Sequence, residues 1–82
     1  MRNHITLYST SHCHLCEQAE AMLATLSMTH GLSWRIIEIT EDADLLARFE
    51  LKIPVLERKN TGKLLCWPFT LEEIVDLINQ GQ

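Results

Sequence analysis

Glycine and proline are scarce in this chain, at three and two residues, which excludes collagen-like and low-complexity architectures. No apolar run approaches the length that spans a bilayer, so no membrane is expected as a partner. Basic residues are outnumbered, seven Lys and Arg against eleven Asp and Glu, for a formal net charge of -4. Binding a phosphate backbone needs a basic face, so no nucleic acid is expected either. Cysteine is limited to three residues, an odd and low number that argues against a secreted disulfide framework. The first residues, Met1 to Tyr8, are polar and alternating, unlike a signal peptide. The expected location is therefore cytoplasmic, in a bacterial or organellar cytosol.

What is present is the composition of an ordered globule: 82 residues, 46% hydrophobic and 22% charged. That length suits one domain spanning 1–82 and needs a compact, layered core. Apolar alternation at Ile5, Leu7 and Tyr8 predicts a short first strand. Helical spacing then takes over, with Leu15, Ala19, Met22, Leu23 and Leu26 on one face. This helix should start close to Cys13 and stop before Gly31. The β-branched and aromatic run at 33–39 predicts a second strand. Thr40, Glu41 and Asp42 then place capping and acidic groups at the start of a short helix with Leu45, Leu46 and Phe49 inward. Ile53-Pro54-Val55-Leu56 opens a third strand, since proline is tolerated at a strand's first residue. Asn60-Thr61-Gly62 marks a hairpin into Lys63-Leu64-Leu65-Cys66. Finally Thr70-x-x-Glu73 is a capping box for a helix with Leu71, Ile74, Val75 and Ile78 inward. The order is β-α-β-α-β-β-α, an α/β fold with a four-stranded mixed sheet flanked by helices.

Cys13-His14-Leu15-Cys16 carries the chemistry. Two cysteines three positions apart at a helix start bring their sulfurs together on one turn. The first would sit among free backbone N–H groups at the positive end of the helix dipole. Both favour a thiolate over a thiol of pKa about 8.5. The second should be deeper and less acidic, which suits a cycle of attack by Cys13 and resolution by Cys16. Zinc sites use the same spacing, but structural zinc generally needs four ligands. No second C-x-x-C is present, and His12, His14, His30 or Cys66 would serve only if the fold gathered them. No metal is therefore assigned. A metal- or iron–sulfur-binding protein and a non-catalytic binding module stay as alternatives.

A strand ending in Leu7-Tyr8-Ser9, then C-x-x-C, then Ile53-Pro54-Val55-Leu56 together resemble the glutaredoxin branch of the thioredoxin superfamily. The chain is similar, over nearly its whole length, to small bacterial glutaredoxin-like proteins with a C-H-L-C motif. The resemblance implies a thioredoxin-like fold and a dithiol–disulfide oxidoreductase, with Cys13 as nucleophile and Cys16 as resolving thiol. It also implies a cis Pro54 facing the cysteines, with the Ile53 backbone pairing to an extended substrate. His14 and Leu15, between the cysteines, are further candidate substrate contacts. Partners would be disulfide-containing proteins or small thiols, and a reductant such as glutathione or a thioredoxin-type reductase. No bound cofactor is implied, glutathione entering as a co-substrate. One departure stands out. Glutathione-using members carry a Gly-Gly pair and acidic residues after the last strand, whereas this chain has Cys66-Trp67-Pro68-Phe69-Thr70 there. The usual lysine before the first cysteine is replaced by Ser9-Thr10-Ser11-His12.

The remaining residues have two readings each. His12 and His14 either tune the Cys13 thiolate and shuttle protons or are solvated histidines. Cys66 is either a third redox site or, the favoured reading, a buried small hydrophobe. Trp67 and Phe69 either form a partner platform or close the core ahead of the Thr70 cap. Leu15 is either an exposed substrate contact or the helix's first core residue.

Overall fold

A computed structural model describes residues 3–79. Its elements are β1 (Asn3–Ser9), α1 (His14–His30), β2 (Leu32–Glu38), a 3-10 turn (Ile39–Glu41), α2 (Ala43–Phe49), β3 (Val55–Arg58), β4 (Lys63–Cys66) and α3 (Leu71–Asn79). The order expected from the sequence is observed. The four strands form one sheet in the order β2-β1-β3-β4, with β1 and β2 parallel and the other two pairings antiparallel.

β1 is central, and alternate side chains leave it for two different layers. Ile5 and Leu7 enter the larger core with Leu23, Leu26, Ile74 and Ile78, so α1 and α3 cover that face. Tyr8 enters a smaller cluster with Ile39, Phe49 and Val55, which seats α2 on the opposite face. Tyr8 and Phe49 stack with ring centroids 4.7 Å apart. Burial, then the Glu57 carboxylate that accepts the Tyr8 hydroxyl proton, pushes the Tyr8 pKa up to about 12.

The punctuation follows local chemistry. Gly31 takes the left-handed conformation (φ 59°) that ends α1. Gly62 (φ 73°) completes the β3–β4 hairpin, its N–H donating to the Arg58 carbonyl at 2.8 Å. The Thr70 capping box is formed in both directions: the Glu73 N–H donates to Thr70 Oγ1 at 3.1 Å, and the Thr70 N–H to Glu73 Oε1 at 2.9 Å. Phe69, just ahead of the cap, shares the larger core with Ile74. It therefore closes the core, one of the two readings open to it.

Three details differ from the sequence reading. β2 ends at Glu38, and Ile39 begins the 3-10 turn, because the Glu38 side chain accepts from the Thr40 N–H and caps that turn. β3 begins at Val55, since Pro54 has no N–H to give to a ladder. In α3 the buried stripe is Ile74, Leu77 and Ile78, and Leu71 is exposed. Phe69 takes the core position that Leu71 was expected to fill.

Candidate dithiol site

The topology gathers one end of the sheet into a rim. Ser9 is in register with Glu38, Tyr8 with Val55, and Val55 with Cys66. β1 and β2 therefore end at the edge where β3 begins and β4 ends, and α1 starts there too. The cysteine turn, the Ile53-Pro54 segment and Cys66-Trp67-Pro68 consequently share this end of the molecule.

The chain leaves β1 through residues 10–12 and reverses at His12, whose φ is 59°. Histidine is among the few non-glycine residues found there with any frequency. Cys13 follows as the N-cap of α1, in extended conformation (φ -102°, ψ 105°). Its sulfur accepts a hydrogen bond from the Cys16 N–H at 3.1 Å, the place an N-cap side-chain oxygen usually fills. The Cys13 carbonyl accepts the Glu17 N–H at 3.1 Å and begins the helical ladder. Cys13 and Cys16 form a disulfide with Cα atoms 5.2 Å apart, within the ordinary span of roughly 4.4–6.8 Å. Cys13 is partly exposed, whereas Cys16 is 5% exposed.

His14 is exposed, and Leu15 is 41% exposed. Leu15 is thus not a core residue of α1. Ile53 is half-buried against the Tyr8 cluster and Pro54 is buried. The Ile53–Pro54 peptide bond is cis, as is Trp67–Pro68. The Pro54 carbonyl accepts the Trp67 N–H at 3.1 Å, which ties the Pro54 segment to the residues after β4. Trp67 in turn lies edge-on to Phe69, with centroids 5.0 Å apart.

Cys66 corrects the expectation of a buried small hydrophobe, because it is free and exposed. β4 is an edge strand, and only Leu65 among its residues is even half-buried. Register with Val55 turns Cys66 to the α2 face, where cover does not extend to the edge. Among the described residues, no group of three or more His, Cys, Asp and Glu is placed to hold a metal ion. None of the described helices is long and apolar enough to cross a membrane.

Glu38 is the site residue that the sequence reading passed over. One carboxylate oxygen accepts from the Ser11 N–H at 3.0 Å and the Ser11 hydroxyl at 3.3 Å. The other accepts from the Thr40 N–H at 3.2 Å and the Thr40 hydroxyl at 2.9 Å. The Thr10 hydrogen bond foremost, with those from Thr40 and Ser11, holds the Glu38 pKa at about 2 against an ordinary 4.5. A depressed carboxylate pKa gives stability that is whole above 4.5 and lost as pH falls through about 2. In acid unfolding followed by circular dichroism, wild type should exceed Glu38→Gln in stability above about pH 4.5. The difference should vanish near pH 2. A difference that persists below pH 2 would remove this carboxylate from the acid response.

The glutaredoxin-like domain (DUF836) family matches residues 4–79. Among curated proteins, none matches the chain. Two solved structural-genomics targets are similar throughout. The crystal structure of XcR50 from X. campestris has 31% identity and a TM-score of 0.80, covering 95% of this chain and 99% of that one. The solution structure of Ne2328 from Nitrosomonas europaea has 26% identity and a TM-score of 0.80, covering 93% and 89% respectively. A thioredoxin-like sheet, a cysteine pair capping α1 and a match from His4 to Asn79 thus converge: the chain belongs to the glutaredoxin-like domain family.

Proposed function

We propose that this protein is a cytoplasmic thiol–disulfide oxidoreductase that reduces protein or small-molecule disulfides with Cys13 and Cys16. The observation that carries this reading is the asymmetric pair: a partly exposed Cys13 sulfur held on the Cys16 N–H, over a buried Cys16. Reduced, the Cys13 sulfur stands where an N-cap anion is stabilised by backbone N–H groups and the helix dipole. Such positions bring a cysteine pKa from about 8.5 into a range of roughly 3.5–7.5.

In the cycle, the Cys13 thiolate attacks one sulfur of a substrate disulfide, and the other sulfur leaves as a thiolate. Cys16, deprotonated, then attacks the Cys13 sulfur of the mixed disulfide. The second substrate thiolate departs and the Cys13–Cys16 disulfide closes. Two electrons have passed to the substrate, and an external reductant restores them through two thiols, either glutathione or a thioredoxin-type reductase. His14 and Leu15 offer exposed surface around the attacked sulfur. The Ile53-Pro54 backbone would pair with an extended substrate segment. Cys66-Trp67-Pro68 occupies the stretch where a Gly-Gly pair would receive glutathione, so binding specificity is assigned to the Pro54 segment instead.

The mixed disulfide is the intermediate to capture. Cys16→Ser, reduced and mixed with cell lysate, should yield adducts on a non-reducing gel that dithiothreitol releases. Both proteins carry Cys66→Ser as well, because Cys66 is a free and exposed thiol, and the control with Cys13→Ser,Cys16→Ser should then yield none. Equal adducts from both proteins, or none from either, would contradict the exchange mechanism.

A further inference from the structure

The turn that delivers Cys13 to the helix start is held from another strand. Glu38 ends β2 in register with Ser9, the last residue of β1. Its two carboxylate oxygens divide their work. One takes the Ser11 N–H and hydroxyl, and the other takes the Thr40 N–H and hydroxyl. Ser11 is two residues before Cys13, with only the left-handed His12 between them. A carboxylate accepts at both oxygens, so it can hold Ser11 and Thr40 together, with Thr10 as a further donor. A glutamine cannot, because its NH2 faces one of the two backbone N–H groups. An aspartate keeps the charge but is one methylene shorter.

We propose that Glu38 is a positioning residue for the dithiol: it fixes the 10–12 turn so that the Cys13 sulfur is presented to the α1 N-terminal N–H groups. The proposal deepens the exchange reading and rests on it for its consequence in turnover. Its physical content, the setting of the Cys13 sulfur, stands apart and is measured apart.

A carboxylate near a thiolate has two effects of opposite sign. Holding the turn keeps the sulfur on its donors and stabilises the thiolate. Negative charge through space destabilises it. Titratable groups adjoining the turn in sequence or at the same strand ends include His12 and His14 beside Cys13, Glu17 in the first turn of α1, Glu41 after β2 and Cys66 at the end of β4. All are retained in the variants.

The test is the pH dependence of Cys13 alkylation by iodoacetamide in reduced wild type, Glu38→Gln and Glu38→Asp, read at Cys13 by peptide mapping, since Cys66 is also a free thiol. Positioning predicts that the midpoint of the Cys13 alkylation profile moves up by about half to one pH unit in both variants, so that alkylation at a pH below the wild-type midpoint slows by roughly three- to tenfold. Through-space charge alone predicts faster alkylation in Glu38→Gln and no change in Glu38→Asp. A merely structural role predicts lower thermal stability with the Cys13 profile unmoved. Either of these last two outcomes overturns the proposal. Thr40→Val removes only one hydroxyl bond and should slow alkylation in the same direction by a smaller factor. It decides the matter if both Glu38 variants fail to fold, and an unmoved profile there counts against the proposal. Alkylation needs no exchange partner. A wild type without disulfide turnover would therefore defeat the exchange reading, while an unmoved profile in active variants would defeat the role of Glu38.

Discussion

Cys13→Ser is expected to reduce turnover of a disulfide substrate to the uncatalysed background, whereas Cys16→Ser should form its adduct and then stall. The difference follows from the positions of the two sulfurs. Cys13 is the partly exposed one and sits on the Cys16 N–H at the start of α1. A serine hydroxyl there is neither ionised near neutral pH nor a nucleophile toward sulfur, so the first bond never forms. Cys16 is buried one turn inside the helix, with its Cα 5.2 Å from that of Cys13. Its attack on the mixed disulfide is intramolecular, and proximity gives such a step a large advantage over an external thiol. Cys16→Ser should thus show a first-turnover burst and slow later cycles that depend on added thiol. Pre-steady-state kinetics with a chromogenic disulfide would separate the variants. Equal residual turnover in both would contradict the assignment of roles.

Leu23→Ala should have a large effect on stability. Leu23 is wholly buried in the cluster that joins α1, β1 and α3. Truncating such a leucine typically costs about 2–5 kcal/mol, the spread reflecting how far the cavity relaxes. At about 0.05–0.15 kcal/mol per residue, a chain of this length has a total stability of roughly 4–12 kcal/mol. The substitution should therefore consume a large part of that stability. Leu51→Ala is the matched control, because Leu51 is 94% exposed. Its effect should stay within about 0.5 kcal/mol. Urea unfolding of the three proteins, all disulfide-intact, gives both values. A Leu23→Ala cost below about 1 kcal/mol would contradict the packing described for α1.

The elements whose signals are local were legible in the sequence. The helix start near Cys13, the Gly31 stop, the Thr70–Glu73 capping box and the Gly62 hairpin each depend on residues a few positions apart. Helical and strand periodicity supplied the rest of the element order, and the cysteine spacing located the disulfide pair. The misses depend on partners distant in sequence. Glu38 meets Ser11 across 27 positions, and in the sequence it is one acidic residue among several near Glu41, Asp42 and Asp44. Cys66 lies among apolar neighbours and reads as core. Its exposure follows from β4 being the sheet's edge, which only the pairing order reveals. Leu71 fits the helical period of α3, but the side chain buried at that end is Phe69, ahead of the cap.

The most direct measurement of the central claim is a redox titration in graded glutathione buffers, quenched by alkylation and read by intact mass with peptide mapping. The account predicts one reversible two-electron transition confined to Cys13 and Cys16, with Cys66 outside that couple. Free Cys13 and Cys16 thiols across the whole range of buffers, or a transition that requires Cys66, would contradict it.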